Sequence, residues 1–532
     1  MQRCSHAVHG GSGVAQARRR TFSRVIARGV VGATLVVVGG LITTALPTSI
    51  ARTVFAPWVE VGESMPGRML GLCVTVVGLG LLTWAWLDLL RRTGSTGRDL
   101  HTRLDEVRRA TTWWACPLLI APPLFSRDGW SYAALGEMVR RDVSPYDHGP
   151  RVLGGALVER VDPMWMDTPS PYGPLPLVLG SWFASVTRDP WLLVVLHRLC
   201  AVAGLLLLAW AVPRLARAAG HDPALASALA ISSPLVLAHG VGGLHNDLLM
   251  VGLAVAALAV ALDRERPESW LVAAGLAGLA ASVKLPGGLV CIGIALVSLR
   301  AGATLAQRLG RLAAVGAVSV GTLLATGVLP GLGIGWLHAL SVPGVVHTPL
   351  SAPTMLGSGL GSLLVGLGAH DAGAVVLPAT RALGSLLALG AAGWLALTAP
   401  TGHGGSAVRT TGLVTLAAFV LSPVVHPWYA LWFVPFAASL WLVRRRTQAL
   451  VAGCVVLGMT APLDSSLAGA HVMVWTAIGL VVAVGVPLLA STHTIRLGRV
   501  PAVKVRAASS YVGSPGTRTS PSPAASPLSD DA

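Results

Sequence analysis

Charge is what this sequence has least of. Only 12% of its 532 residues are Asp, Glu, Lys or Arg, while 53% are hydrophobic and the mean hydropathy is +0.68. A soluble fold of this length cannot cover its surface with so little charge, so the chain reads as a polytopic membrane protein. Lysine is scarcer still: Lys284 and Lys504 are the only two, and every other cationic side chain outside histidine is Arg. The six Cys (4, 73, 116, 200, 291, 454) are scattered and form no Cys-x-x-Cys pair, so neither a disulfide framework nor a cysteine metal site is supported. No Gly-rich loop runs into Lys and Ser/Thr, which excludes the phosphate-cradling loop of nucleotide hydrolases. The net charge of +16 does not imply nucleic acid, because its Arg residues fall in short clusters between apolar runs, as the positive-inside bias produces.

What the chain does have is long apolar runs. Candidate spans occur at 25–46, 69–90, 110–125, 191–212, 223–240, 247–262, 270–283, 286–299, 312–329, 374–398, 410–422, 427–442, 449–463 and 472–490. Two shorter runs, 175–186 and 354–368, decide the orientation of everything between them. If neither crosses, the Arg-rich loops at 91–109, 213–222, 263–269 and 300–311 share the cytoplasmic side. The predicted fold is therefore all-α, a bundle of about 14 transmembrane helices with both termini cytoplasmic. Residues 1–24 form a basic cytoplasmic tail, 25–490 the membrane module, and 491–532 a Ser/Pro-rich disordered cytoplasmic tail.

On this topology the 126–174 loop is extracytoplasmic, and so are the residues with chemical potential. Asp128 begins the loop, and Trp130, Ala134, Leu135, Met138 and Val139 follow at helical spacing, predicting an interfacial amphipathic helix. Asp128 would serve that helix as an N-cap, or a reaction as a proton acceptor, and the two roles can coexist. Gly242-Gly243-Leu244-His245-Asn246-Asp247 joins two spans on the same side, with Asn246 and Asp247 also placed as helix caps. Lys284 stands at another such turn, against the charge bias, either snorkelling to lipid head groups or binding an anion. Arg198 and Arg381 each lie seven residues into a span, a depth where an ionised Arg needs a carboxylate or phosphate partner. The last turn offers His426 with Trp428 and Tyr429, which are otherwise interfacial anchors; His338 and His347 are weaker candidates. None of these has the spacing of a zinc site, and no metal is predicted.

Taken together, Phe125-Ser126-Arg127-Asp128 with Tyr132 and Gly136, Pro145-Tyr146, Pro171-Tyr172-Gly173-Pro174, His245-Asn246-Asp247, Val283-Lys284 and His426-Pro427-Trp428-Tyr429 resemble one family. It is the actinobacterial polyprenol-phosphomannose-dependent α-1,6-mannosyltransferases of the MptA/MptB type, GT-C glycosyltransferases that build the mannan core of lipomannan and lipoarabinomannan. The resemblance covers about residues 110–440. It implies a GT-C bundle, a polyprenyl-phosphate sugar donor, a lipid-linked mannan acceptor, contact with membrane lipids, and no cofactor or nucleic acid. It also implies that Asp128 is the general base, although the family's acid-rich neighbourhood is replaced here by Arg127. Lys284, Arg198 and Arg381 would then hold the donor phosphate. Tyr132, Tyr146, Tyr172, His245, Asn246, Asp247, His426 and Trp428 would contact substrate. A polyprenyl-phosphoarabinose transferase, a carotenoid-associated branch of the family and a lipid or sugar transporter are the alternatives; the last would carry its charges at the bilayer midplane rather than at the rim.

Overall fold

The computed structural model describes residues 6–493, apart from 45, 95–97, 264, 265, 267, 341–347, 441 and 464–470. The expected disordered tail lies almost wholly outside the described residues, as do His347 and the side chain of His338. Every regular element among the described residues is helical. Seven helices are long and apolar enough to cross a membrane: Arg20–Thr43, Met65–Thr93, Pro190–Ala218, Leu305–Val328, His370–Thr398, Gly404–Leu421 and His471–Thr492. An eighth results if Pro223–Ile231 and Val236–Gly242, bent by 55°, form one broken span. Among the described residues the fold is thus all-helical, and its long apolar helices mark a membrane protein.

Local chemistry sets the helix starts. Asp99, Asp189 and Asp222 each accept a backbone N–H of the first turn they precede, and Pro174, Pro190 and Pro223 occupy first-turn positions where no N–H is needed. The other expected spans come out shorter, as Asp247–Ala261, Ser269–Val283, Leu285–Ser298 and Arg444–Met459. Two differ in kind. The 110–125 run is the end of Leu100–Leu118, whose opening turns are charged. The 427–442 run breaks into a 3-10 turn, Pro427–Trp432, and a five-residue helix, Val434–Ala438. Pro427 and Pro435 each restart the backbone there, since neither can donate to a preceding turn. Length and composition alone give seven or eight spans; a count near fourteen rests on the shorter helices.

Two ends of the bundle are distinct. At one, Arg103 donates to Asp222 at 2.7 Å, Arg308 to the Ala399 carbonyl at 2.7 Å, and Thr401 to the Arg300 carbonyl at 2.7 Å. The Arg-rich connections therefore collect together. At the other end the Leu124 N–H donates to the Gly242 carbonyl (3.1 Å) and the Gly173 N–H to the Val283 carbonyl (3.2 Å). Pro174–Val186 starts at this end, and the span that follows it, Pro190–Ala218, also leaves from this end.

The helix expected after Asp128 forms, at Asp128–Arg140, but it is not half-wetted: every residue from Gly129 to Met138 is buried. Pro174–Val186 covers the face that the sequence pattern leaves to water. The two backbones touch at Gly136 and Gly180, where a Cβ on Gly136 would lie 2.5 Å from the Gly180 carbonyl carbon. Only a glycine pair permits that approach. Gly136→Val should therefore lower stability by about 1–3 kcal/mol, the cost of forcing side-chain volume into a packed contact. Thermal unfolding of the detergent-solubilised protein measures it, and an unchanged midpoint would mean the helices do not meet there.

Candidate active site

Asp128 is the first residue of its helix, and its carboxylate does not cap it: the N-cap position belongs to Arg127, with no side-chain bond to the first turn. The Asp128 N–H donates instead to Ser126 Oγ at 3.1 Å. The carboxylate faces three groups. Tyr132 and Tyr172 donate to Oδ2 over 3.5 and 3.4 Å, with their hydroxyls 3.1 Å apart, and His245 Nδ1 lies 3.3 Å from the same oxygen. These are long, loose contacts for a buried acid. Burial pushes the Asp128 carboxyl upward, but the His245 contact and the nearby Lys284 charge outweigh it and hold the group below its usual value. Burial, then the neighbouring carboxylate, pushes both tyrosine hydroxyls well up, so they remain donors.

The two turns that deliver Asp128 and His245 are strained. Phe125 (φ 65°) and Leu244 (φ 60°) are bulky residues held in the left-handed region, where side chains rarely go. Arg198 binds these turns to each other. Its guanidinium donates to the carbonyls of Ala121 (2.5 Å), Pro122 (2.9 Å) and Gly242 (3.3 Å), and also to that of Val241. The depth of Arg198 predicts an anionic partner; main-chain dipoles fill that place. Both terminal nitrogens of its guanidinium are spent on the backbone of these turns.

Asp247 is a second buried carboxylate with a different environment. It accepts from Lys284 Nζ at 3.1 and 3.2 Å and from Trp432 Nε1 at 2.6 Å. The Lys284 ammonium lies 3.9 Å from the Tyr429 ring centroid, 5.4 Å from that of Trp432 and 6.0 Å from that of Tyr172. Burial opposes its charge, yet Asp247 and Tyr429 more than offset this, so the ammonium persists at neutral pH.

Above this pair runs an aromatic stack. Trp428 packs flat on His245 (centroids 3.5 Å apart, 12° between planes) and on His426 (4.4 Å, 12°). Burial pushes the His426 imidazole down to about 4, so it is neutral at pH 7. Neither ring nitrogen of His245 has an aligned hydrogen-bond partner, nor does the buried Asn246 Nδ2 in the same turn. These are groups prepared to meet a polar molecule.

The structure thus gathers Asp128, Tyr132, Tyr172, His245, Asn246, Asp247, Lys284, His426 and Trp428. Tyr146 packs behind Tyr132 and Tyr172 as part of an apolar wall. Arg381 sits farther back: its Nε donates to Thr354 Oγ1 (3.0 Å), which in turn donates to the Pro423 carbonyl (2.6 Å) below the His426 turn. Trp432 and Ser131 belong to the site and are not singled out by the sequence. The only signal for Trp432 was its spacing from Trp428 and Tyr429, one turn on.

Residues 26–300 match the family described as alpha-(1->6)-mannopyranosyltransferase, N-terminal domain, and residues 353–490 match the MptB C-terminal domain. The chain belongs to the MptA/MptB family. It is 34% identical over 439 residues, covering 75% of this chain and 76% of the relative, to a Mycolicibacterium smegmatis protein named as an alpha-(1->6)-mannopyranosyltransferase. A Mycobacterium tuberculosis alpha-(1->6)-mannopyranosyltransferase is 32% identical (75% of this chain, 77% of the relative). Alpha-(1->6)-mannopyranosyltransferase B of Corynebacterium glutamicum is 30% identical (80% and 75%). No solved structure matches the chain. Both family regions build the site: the first supplies Asp128, His245, Asp247 and Lys284, the second His426, Trp428 and Trp432.

If Lys284 and Asp247 are a mutually dependent buried pair, removing either alone leaves an uncompensated charge. Lys284→Met and Asp247→Asn should each cost about 3–5 kcal/mol of unfolding free energy, and the double variant clearly less than their sum. A double-mutant cycle read by denaturant unfolding decides; additive costs would show that the two side chains do not depend on each other.

Proposed function

We propose that the protein is an inverting GT-C glycosyltransferase. It moves mannose from a polyprenyl-phosphate mannose to a lipid-linked mannan acceptor and forms an α-1,6 bond at the extracytoplasmic rim of the cell membrane. The observation that carries this reading is the juxtaposition of two unlike acids. Asp247 is ion-paired with Lys284 and accepts from Trp432, whereas Asp128, held ionised, is left with only long contacts. Two like groups with such different partners suit different work. The names of the relatives support the transferred sugar and the linkage.

The geometry suits the reaction. The acceptor 6-hydroxyl attacks the anomeric carbon of a β-linked mannosyl phosphate, and its proton passes to Asp128 as the new bond forms. The bond to phosphate oxygen breaks with its electron pair staying on the phosphate monoester. That leaving group needs no proton, only a fixed positive charge, and Lys284 is a fixed charge close enough to act on the acid. His245 and the tyrosines supply donors for the sugars, and Trp428, packed flat on His245 and His426, stiffens the substrate-facing wall. Arg198, with its guanidinium on backbone carbonyls, supports the site from behind, and Arg381 is a more distant phosphate contact.

The two ends of the bundle support the extracytoplasmic part of this reading: the Arg-rich connections gather away from Asp128, and the positive-inside bias favours the cytoplasm for that end. With the short helices crossing and Pro174–Val186 and Ala352–Gly366 half-inserted, the bundle has about 14 spans and both termini inside.

Asp128→Asn in membranes supplied with polyprenyl-phosphate mannose and an α-mannoside acceptor should lose about 10²–10⁴-fold in kcat. Donor KM should stay close to the wild-type value. Full activity in this variant would remove Asp128 from the reaction. Because the carboxyl is held below its ordinary 3.8, its base form is complete above that pH and is lost only as pH falls through the lowered value. The acid limb of kcat/KM should therefore lie below pH 4, and a limb near pH 6 would point to a different base.

A further inference from the structure

Beside Asp128 a narrow slot lies between the Asp128–Arg140 helix and the loop that precedes Pro174, its walls including Asp128, Ser131, Trp165, Thr168, Ser170 and Tyr172. Asp128, Ser131 and Leu135 border it at positions i, i+3 and i+7, one face of a single helix. Its free volume is about 20 Å³, room for about one water molecule. Ser131 is 5% exposed, and its buried hydroxyl has no hydrogen-bond partner. A buried, unsatisfied hydroxyl in the wall of a largely apolar slot is costly unless something enters to pair with it.

We propose that this slot takes the single primary hydroxyl of the acceptor hexose and so selects position 6. The inference rests on the glycosyltransferase reading and gives that site its regiochemistry. The size of the slot is the argument. A hydroxyl on C6 stands one carbon clear of the ring, so it reaches into a one-water space while the ring stays outside. A secondary hydroxyl is bonded to the ring itself, and carrying it to the same depth would drive ring carbons into Trp165 and Tyr172. Inside, the hydroxyl meets Asp128 to take its proton and the unpartnered Ser131 hydroxyl to orient it. Tyr172 forms part of the slot's wall and also lies 6.0 Å, ring centroid to Nζ, from Lys284. Tyr172 therefore borders both the slot and the Lys284 ammonium, so the acceptor hydroxyl and the leaving phosphate can approach the same anomeric carbon. Ser131 is a specificity-determining residue in this scheme, and Trp165 a rim that keeps the ring out.

The test separates acceptor binding from turnover. Purified full-length protein in detergent is mixed with methyl α-mannoside, and saturation-transfer NMR reads which sugar protons receive magnetisation. The slot predicts the strongest transfer at the two C6 protons and at least tenfold weaker competition by the 6-deoxy analogue. Ser131→Val, which fills the slot, should weaken the mannoside at least tenfold, and Ser131→Ala about threefold. Both variants should elute as single species with the wild-type unfolding midpoint. Equal competition by the 6-deoxy sugar, transfer centred on C2 to C4, or wild-type binding by Ser131→Val would each overturn the slot. A parallel turnover arm uses polyprenyl-phosphate mannose. Absence of product with the wild-type protein there would count against the donor reading while the binding arm still decides the slot. In active protein, Ser131→Val should raise the acceptor KM at least tenfold and leave the donor KM unchanged.

Discussion

One buried guanidinium holds the site in register. Arg198 comes from the middle of a hydrophobic helix, yet it is not paired with an acid; its hydrogen bonds run to carbonyls at 121, 122, 241 and 242. Those carbonyls belong to the turn that leads to Asp128 and the turn that leads to His245 and Asp247. Each turn contains a bulky residue at positive φ, Phe125 in one and Leu244 in the other. Such conformations persist only where the surroundings over-determine them. Arg198 supplies that restraint, with its planar fork of donors and a charge that cannot be shed in a protein. The relative placement of Asp128, His245 and Asp247 depends on it before any substrate arrives.

Within that frame the aromatic residues do two kinds of work. The chain contains only five Tyr, and four of them (132, 146, 172 and 429) stand in or against the cluster. Tyr429 and Trp432 surround the Lys284 ammonium, where a ring face costs less to approach than bare hydrocarbon. Tyr132 and Tyr172 give Asp128 its only hydroxyl donors, and at 3.4–3.5 Å these hold it loosely. Asp247 is taken up by the Lys284 ammonium and the Trp432 N–H, whereas Asp128 has only long contacts, which is why one reads as scaffold and the other as reagent.

How much of this was legible in the sequence depends on what kind of signal each residue leaves. Asp128, His245, Asp247, Lys284 and His426 stand out because a polar residue at the end of an apolar run is rare, and the structure does bring these five together. The partner of Arg198 was not legible, because depth in a span shows that a charge needs compensation but not that main-chain carbonyls provide it. The amphipathic pattern after Asp128 correctly marked a helix and one buried face. It could not show that Pro174–Val186 covers the opposite face, since packing between Gly136 and Gly180 leaves only two glycines in the text. The 427–442 run has the hydropathy of a span, but Pro427 and Pro435 break it, and the break is what swings Trp428 and Trp432 onto His245 and Asp247.

A site assembled from segments more than 300 residues apart, all at the ends of helices, follows from the solvent. Ionised groups are tolerated in a bilayer only near its edge or fully compensated, so a chain with this little charge concentrates its chemistry where helices end. Each segment then contributes only a few residues, and none can be assembled without its neighbours. That makes fixed placement cheap to maintain once the bundle is formed, because the packing that holds the helices also holds the dipoles. Lys284 illustrates the consequence. Its ammonium is pinned by Asp247 and three rings, so it cannot swing to follow a substrate. In the proposed reaction a leaving phosphate must come to it, and charge developing there meets a cation that has no reorganisation left to undergo. The same rigidity makes the narrow slot beside Asp128 selective, since a wall that cannot yield excludes a ring as firmly as it admits a hydroxyl.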